Sequence, residues 1–452
     1  MTRREDARLA GWDGITGRLV QAVIVVYAIA ILFFVWMTKD MTVASLRHDP
    51  LFAAYTVSVL IYILARFVVA MFYSPVFDVG HRPSVSIIVP AFNEEEGIAW
   101  TIESCLNVLY PRDLVEVIVV NDGSTDGTWE RILEAGGRRP RFHAVNLGRN
   151  YGKRGAMAEG FRRSKGEILV FVDSDSYLAP DAVLAITQPF SDPKVGAVVG
   201  HADVANDLET WLTKMQQVRY YSAFRVIKAT ESLLSGTVTC ASGCCSAYRR
   251  AAIEPVLDEW EFQRFLGRPA TFGDDRALTN RVLKSHRVVY QETARSTTVV
   301  PTTMKRFLRQ QLRWKKSWLR ESLEVCRYFW RKNPVAALFT YASIVFPFLA
   351  PWVVLHAVLG RLLWGSASGL WFYLVGTYAM ALLYSLYYAF RRKSGLWPHG
   401  MTFVAIYMGV LVFQTYWGIL TMRDNRWGTR DSTVDHAPID PALLTVLPSE
   451  AA

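Results

Sequence analysis

Three short runs of this chain hold residue types and spacings that can do chemistry. Asp173-Ser-Asp175 follows the apolar run EILVFV at 167–172. Two carboxylates spaced i, i+2 at a strand end suit a hard divalent cation. Oxygen ligands in an incomplete protein cage are what Mg²⁺ or Mn²⁺ takes when a diphosphate supplies the remaining ligands. Asn146-Leu-Gly-Arg-Asn-Tyr-Gly-Lys-Arg-Gly155 stands just before a helical pattern. Its glycines, the helix N-terminus and the Lys153–Arg154 pair make a phosphate cradle. Gly273-Asp-Asp-Arg276 sets paired carboxylates ahead of a helical run at 277–283. A carboxylate there can act as general base on a hydroxyl nucleophile. Each run also has a plain structural reading: solvated loop carboxylates, a surface turn and a helix N-cap.

Such residues need a scaffold. Residues 85–89 (VSIIV), 115–120 (VEVIVV), 167–172 and 195–199 (VGAVV) read as buried strands, with helical patterns at 95–108, 126–134 and 155–164. This alternation implies the α/β class, with a parallel, doubly wound sheet covered on both faces. Ligands bind such sheets at the carboxyl ends of the strands. The polar runs fall there: Pro90-Ala-Phe-Asn-Glu94 after the first strand, Asn121-Asp-Gly-Ser-Thr-Asp126 after the second and Asp173-Ser-Asp175 after the third. Asp122 and Gly123 make a tight turn, and Ser124 or Thr125 can cap the following helix.

The 452 residues are 51% hydrophobic, which excludes a disordered tail protein, and the five Cys are too few and odd in number for a disulfide scaffold. The apolar residues are concentrated at 19–37, 51–73, 335–359, 370–390 and 401–422. Each is long enough to cross a bilayer as a helix. Arg3, Arg4 and Arg8 hold the N-terminus inside by the positive-inside rule, so two spans return the chain to the cytoplasm. A full crossing by 401–422 would put Arg423, Arg426 and Arg430 outside; that segment is therefore expected to be broken or re-entrant. The expected organisation is an N-terminal helix pair at 1–73, a cytoplasmic domain at 74–302, an amphipathic interface helix at 303–333, a C-terminal membrane region at 334–422 and a tail at 423–452.

Of the net charge of +10, residues 303–333 contribute +8, from ten Lys/Arg and two Glu. Leu308, Leu312, Leu319 and Leu323 line one face there, with Trp314 and Trp318 among the basic residues. Such a helix lies on an anionic membrane surface, and its basic face can also meet a diphosphate. Nothing points to nucleic acid, and no G-x-S-x-G elbow supports serine hydrolase chemistry.

Asn121-Asp-Gly, Asp173-x-Asp175, Gly273-Asp-Asp275 and Gln310-x-x-Arg-Trp314, in this order and flanked by apolar spans, resemble the signature of membrane-integrated family 2 glycosyltransferases, the cellulose, chitin and hyaluronan synthases. The Q-x-x-R-W run is the mark of processive members. Arg219-Tyr-Tyr-Ser-Ala-Phe-Arg-Val226, Val289-Tyr-Gln-Glu-Thr-Ala-Arg295, QQLRWKKSWLRE at 310–321 and Trp427-Gly-Thr-Arg430 are most similar to bacterial class I hyaluronan synthases, over roughly residues 15–432. Nodulation-type chitin-oligosaccharide synthases share several of these motifs.

The resemblance implies a GT-A type domain inserted between transmembrane helices and a processive, inverting enzyme in the cell membrane that takes UDP-GlcNAc and UDP-GlcA and exports a polysaccharide. It implies Ala91, Asn93 and Asp122 on uridine, and Lys153 and Asp173 at the diphosphate. Asp175, with Asp173, would hold Mg²⁺ or Mn²⁺, and Asp275 would be the catalytic base. Gln310, Arg313 and Trp314 would position nucleotide and acceptor, and Ser242, Gly243, Cys244, Asp274 and Trp314 would meet the acceptor. One departure stands in TCASGCCSAYRR at 239–250: Cys244 and Cys245 replace the Pro and aliphatic residue usual after Ser-Gly. This leaves the sugars open while the reaction type stands. Cys240, Cys244 and Cys245 lack a fourth ligand nearby for a tetrahedral metal site and read as small apolar thiols. The alternatives to hyaluronan are an N-acetylhexosamine polymer made from one donor, a non-processive lipid-linked transferase, and an inactive membrane scaffold or transporter.

Overall fold

The computed structural model describes residues 50–364, 368–424 and 445–447, with isolated positions at 22, 26, 29 and 30. The expected span at 19–37, apart from those positions, and Trp427-Gly-Thr-Arg430 lie outside the described residues.

The first described helix, α1 (Pro50–Met71), leads into a nine-stranded sheet. Its strands are β1 (Val85–Ala91), β2 (Val115–Asn121), β3 (Phe142–Asn146), β4 (Ile168–Phe171), β5 (Ser176–Leu178), β6 (Val195–Val204), β7 (Ser246–Arg249), β8 (Arg287–Thr298) and β9 (Thr445–Leu447). Their spatial order is β9-β3-β2-β1-β4-β7-β6-β8-β5. The half of the sheet around β1 is parallel, as its continuous apolar strands require: every residue of β1 and of β4 is buried. A wholly parallel sheet is not what forms. β7 enters antiparallel between β4 and β6, β5 runs antiparallel on β8, and β9 antiparallel on β3, so the α/β sheet is mixed. The reason is local: β7 sits directly after the loop 239–245 and returns the chain across the strand ends, which no helical crossover does.

The helices that shape the site are α2 (Ile98–Leu106), α3 (Thr128–Gly136), α4 (Gly152–Arg163), α5 (Trp211–Ser222), α6 (Asp274–Ser285) and α7 (Met304–Tyr328). Between α5 and the short helix Ala229–Leu233, residues Ala223–Lys228 form a π-helix. Such single-turn widening re-aims side chains and recurs at functional sites.

One face of the sheet packs Ile98, Ile102 and Ile186 against Val85, Ile87 and Val170. The other face joins Ile88 and Phe171 to Leu64 and Phe67 of α1 and to Tyr387 and Tyr388 of the long helix α9 introduced below. The sheet and the long helices α1 and α9 thus share one core.

After α7 come α8 (Pro334–Trp364), which contains Pro347 and Pro351, and α9 (Ser368–Arg392). The run that follows has α10 (His399–Ile406), a π-helical turn Tyr407–Leu411 and α11 (Gln414–Leu420). Among the described residues three helical segments are long and apolar enough to cross a membrane: Pro50–Met71, Pro334–Leu359 and His399–Leu420. The fourth expected span forms a 25-residue helix, but Tyr373, Tyr378, Tyr384, Tyr387 and Tyr388 leave it less apolar than those three. Arg66 inside α1 pairs with Glu231 at 3.0 Å and lies over the Tyr62 ring, which answers the cost of a charge in an apolar helix.

The amphipathic face of α7 differs from the expected leucine stripe. Its buried residues include Phe307, Gln311, Ser317, Leu319, Arg320, Glu321 and Val325, while Leu323 is exposed. A polar face is buried because α7 packs against α6 and α11. Arg320 Nη2 donates to Phe272 O at 2.6 Å and Arg320 Nε pairs with Glu321 at 2.7 Å, so the buried charges are partnered.

Candidate active site

A cavity of about 1120 Å³ opens where β1, β2 and β4 end. At its base the Asp122 N–H donates to Ala91 O at 2.8 Å, joining the ends of β1 and β2. Asp122 Oδ1 accepts the Tyr151 N–H at 2.7 Å, which ties the glycine-rich loop to the same point. Burial pushes the Asp122 carboxyl up to about 8. Asn93 does not line the cavity. Its Oδ1 accepts the Thr125 N–H at 2.9 Å and its own N–H donates to Ser124 Oγ at 3.0 Å, so it clips the first two loops together.

Asp173 and Asp175 project from the end of β4. The Asp173 N–H donates to Gly243 O at 2.9 Å, which seats the loop 239–245 against the carboxylate pair. Lys153, in the first turn of α4, lies 2.5 Å from Asp173 Oδ1 and 3.2 Å from Asp274 Oδ2. One amine therefore joins two of the three runs singled out by spacing. Removal from water alone would lower the Lys153 pKa, but Asp173, Asp274 and Asp275 outweigh it and hold the amine well above its ordinary value. Asp175 is pushed up to about 6, by burial first and by the neighbouring Asp173 carboxylate second. Thr298 Oγ1 stands 3.5 Å from Asp175 Oδ1.

This pair fits a divalent cation. Two carboxylates crowd each other, one of them is driven toward protonation, and a positive ion between them relieves both effects. No group of three or more His, Cys, Asp or Glu that could hold a metal exists among the described residues. A metal here would complete its shell from substrate oxygens and water, as Mg²⁺ does.

Across the cavity, Gly273 adopts φ +74°, a left-handed conformation that glycine takes freely, and opens α6. A Cβ there would fall 1.9 Å from Ser317 Oγ, so glycine also lets α7 approach. Asp274 and Asp275 occupy the first turn of α6, and Asp275 Oδ1 accepts the Arg276 N–H at 2.7 Å. Both residues of that turn line the cavity. Their environments drive the pair apart. Burial opposes ionisation of Asp274, but Lys153 and Arg154 outweigh it and lower its pKa. Asp275 is raised, by burial and then by Asp274. A raised carboxyl facing a cavity suits a proton acceptor.

The wall is completed by α7 and α5. Gln310, Arg313 and Trp314 all line it. Gln310 Oε1 is a buried acceptor with no hydrogen-bond partner among the described residues, which suits a ligand donor. The Trp314 ring stands 6.4 Å from that of Tyr220, forming an aromatic floor. Ser242, Gly243 and Cys244, which the resemblance assigns to the acceptor, line the cavity. Cys244 is pushed up by burial and by Asp173 and Asp175, so it is a neutral thiol beside the carboxylates.

Sequence reasoning missed Tyr220, Lys228, Glu231, Arg268, Arg276 and Thr298, which also line the cavity. Tyr220 stood in the run Arg219 to Val226 quoted for likeness and Arg276 in the run Gly273-Asp-Asp-Arg276; Lys228, Glu231, Arg268 and Thr298 carried no spacing signal.

The sequence pattern described as Glycosyl transferase family 2 matches residues 86–257. A "Hyaluronan synthase" of Streptococcus pyogenes is 32% identical over 391 residues, 83% of this chain and 90% of that protein. An "N-acetylglucosaminyltransferase" of Rhizobium meliloti is 41% identical over 246 residues, 53% of this chain and 57% of that protein. Among solved structures, a mannosyltransferase from Pyrobaculum calidifontis, in complex with GDP-Man and Mn²⁺, superimposes with a TM-score of 0.56 at 21% identity, covering 80% of this chain and 99% of that one. This last likeness extends to the fold, which is of the GT-A type. The chain belongs to the family 2 glycosyltransferases, within the membrane-integrated processive synthases that include the hyaluronan synthases.

Proposed function

We propose that this enzyme polymerises hyaluronan from UDP-GlcNAc and UDP-GlcA on the cytoplasmic side of the cell membrane and passes the chain out through its helices. The observation that carries the reading is the convergence on one cavity of Asp173-x-Asp175, Gly273-Asp-Asp275 and Gln310-x-x-Arg-Trp314, linked by Lys153.

In this reading Ala91 and Asp122 hold the uridine, with Asn93 keeping their two loops in register. Lys153 and Arg313 meet the diphosphate. Asp173 and Asp175 would hold Mg²⁺ or Mn²⁺, which when bound neutralises charge on the departing UDP. Asp275 takes the proton of the acceptor hydroxyl as that oxygen attacks the anomeric carbon. The bond to the UDP oxygen breaks on the opposite face, and the configuration inverts in a single displacement. Trp314 and Tyr220 offer ring faces to the acceptor sugar, and Ser242, Gly243, Cys244 and Asp274 border it.

Incubation of the membrane-embedded enzyme with each donor alone and then with both tests the function. Long polymer formed only with both donors supports it. Polymer from UDP-GlcNAc alone refutes it and supports a chitin-type product, the reading that the Rhizobium N-acetylglucosaminyltransferase favours.

A further inference from the structure

The cavity wall past Asp275 carries two cations that the displacement above does not use. Lys228 closes the π-helix Ala223–Lys228. Its Nζ donates to Cys240 O and to Ser242 Oγ, each at 2.6 Å. Arg276 follows Asp275 directly. Only its backbone N–H is engaged, to Asp275 Oδ1, and its guanidinium makes no hydrogen bond or ion pair among the described residues. Both side chains line the cavity. Glu231, the carboxylate on the same wall, is already taken: Arg66 of α1 lies 3.0 Å from its Oε1, and the Thr239 N–H donates to its Oε2 at 3.2 Å. The charges are thus unequal. Lys228 and Arg276 face Asp275 with no other uncommitted carboxylate beside them.

We propose that Lys228 and Arg276 form a subsite for the carboxylate of a uronic acid at the acceptor end of the growing glycan. The proposal rests on the reading that the polymer contains a uronate. A neutral aminosugar polymer would leave the Arg276 guanidinium without a carboxylate partner, and removing an unpaired charge from water costs free energy. A guanidinium offers two parallel N–H groups that match a carboxylate, and a charge-assisted pair of this kind is stronger than a neutral hydrogen bond. Sugar chemistry supplies the position. When a uronate attacks through the hydroxyl on the carbon next to its carboxyl-bearing carbon, its carboxylate lies beside the nucleophilic oxygen. The group that deprotonates that oxygen is Asp275, and Arg276 and Lys228 line the same cavity near enough to interact with its charge. Lys228 also fixes Cys240 and Ser242, so it sets the loop that borders the same sugar.

The test is a single-addition assay with the full-length enzyme in detergent or lipid discs, Mg²⁺ or Mn²⁺, and UDP-GlcNAc as the only donor. Two oligosaccharide acceptors are compared, one ending in glucuronate and one whose terminal carboxyl has been reduced to the alcohol. The quantity read is the ratio of kcat/KM for the two acceptors, which cancels any general loss of activity or folding. The wild-type enzyme should prefer the glucuronate terminus. Arg276→Gln should lower the ratio by about ten- to a hundredfold, through KM of the charged acceptor, as expected for loss of a hydrogen bond to a charged group. Lys228→Gln should lower it in the same direction, and Arg276→Lys should recover part of it. A ratio unchanged in both glutamine variants overturns the proposal, as does a wild-type enzyme with no preference or one that extends neither acceptor. Polymer from UDP-GlcNAc alone would instead overturn the underlying function. Two-donor synthesis with an unchanged ratio removes only the subsite.

Discussion

Replacing Gly243 by alanine gives a sharp test of how the metal-side carboxylates are held. A Cβ built on Gly243 would lie 2.5 Å from Asp173 Oδ1, 2.8 Å from Oδ2 and 2.9 Å from Cγ. Ordinary carbon contacts begin near ~3.5 Å. The carboxylate must therefore withdraw by about 1 Å, because its backbone is tied to Gly243 O by the 2.9 Å hydrogen bond. Gly243 is not in the left-handed region, so alanine adds no backbone strain, and the clash is with the movable end of a side chain. The fold should survive. The 2.5 Å contact of Asp173 with Lys153 should not, and the pair with Asp175 should open. A misplacement of ~1 Å near the reacting groups costs on the order of a hundredfold in rate. The assay is UDP release by purified full-length enzyme at saturating donors, with a titration of Mg²⁺ and Mn²⁺ and a thermal melt. The expected result is a loss of ~100-fold in kcat with a weaker metal response and a nearly unchanged Tm. A variant with wild-type rate and metal response would refute the placement of Asp173 at the reaction centre.

The remaining predictions concern the two carboxylate pairs. Asp275→Asn should cut polymer synthesis by ~10²–10⁴-fold while UDP binding persists, since a general base contributes on that order; retained synthesis in a product assay would defeat the assignment. The same variant should melt at a higher temperature at neutral pH. Asp275 is raised by burial and by Asp274, so its ionised form weighs against the folded state above its folded pKa, and an amide removes that burden. For the same reason kcat/KM should fall on acidification at a pH above the ordinary carboxylate value of 3.8, where Asp275 gains its proton; an acid limb at or below that value would contradict the role. Asp175→Ala should abolish the dependence of nucleotide binding on Mn²⁺, measured by calorimetry with UDP; an unchanged dependence would remove Asp175 from the metal.

Much of the domain was legible because buried parallel strands are written as unbroken apolar runs. β1, β2 and β4, with the polar residues that follow them, could be placed on that ground alone. The antiparallel strand β7 could not, because Ser246–Arg249 is four residues long and follows a cysteine-rich loop that carries no period. β8 was hidden by its polar residues: Gln291 is buried yet satisfied by Val76 O at 2.6 Å, and such a partner is invisible in a string of residues. The expected leucine face of α7 failed for a related reason. Gln311, Ser317 and Glu321 are buried because another helix meets them, whereas periodicity counts only apolar residues. In the site, the motif residues were readable because they stand at strand ends. Lys228 was not, since a π-helical turn and a loop 239–245 folded back on it decide where it points.

The core shared between the sheet and the long helices α1 and α9 has a mechanical consequence. Ile88 and Phe171 of the sheet, Phe67 of α1 and Tyr387 of α9 belong to one packed cluster. Interiors of this density do not shear freely. The sheet cannot swing like a ratchet arm on a hinge while the apolar helices stay still; the two form one stator. The travelling component must then be the glycan itself. Each added sugar has to move the chain past a stationary wall, driven by the chemistry at its end and steered by side chains that rotate in place.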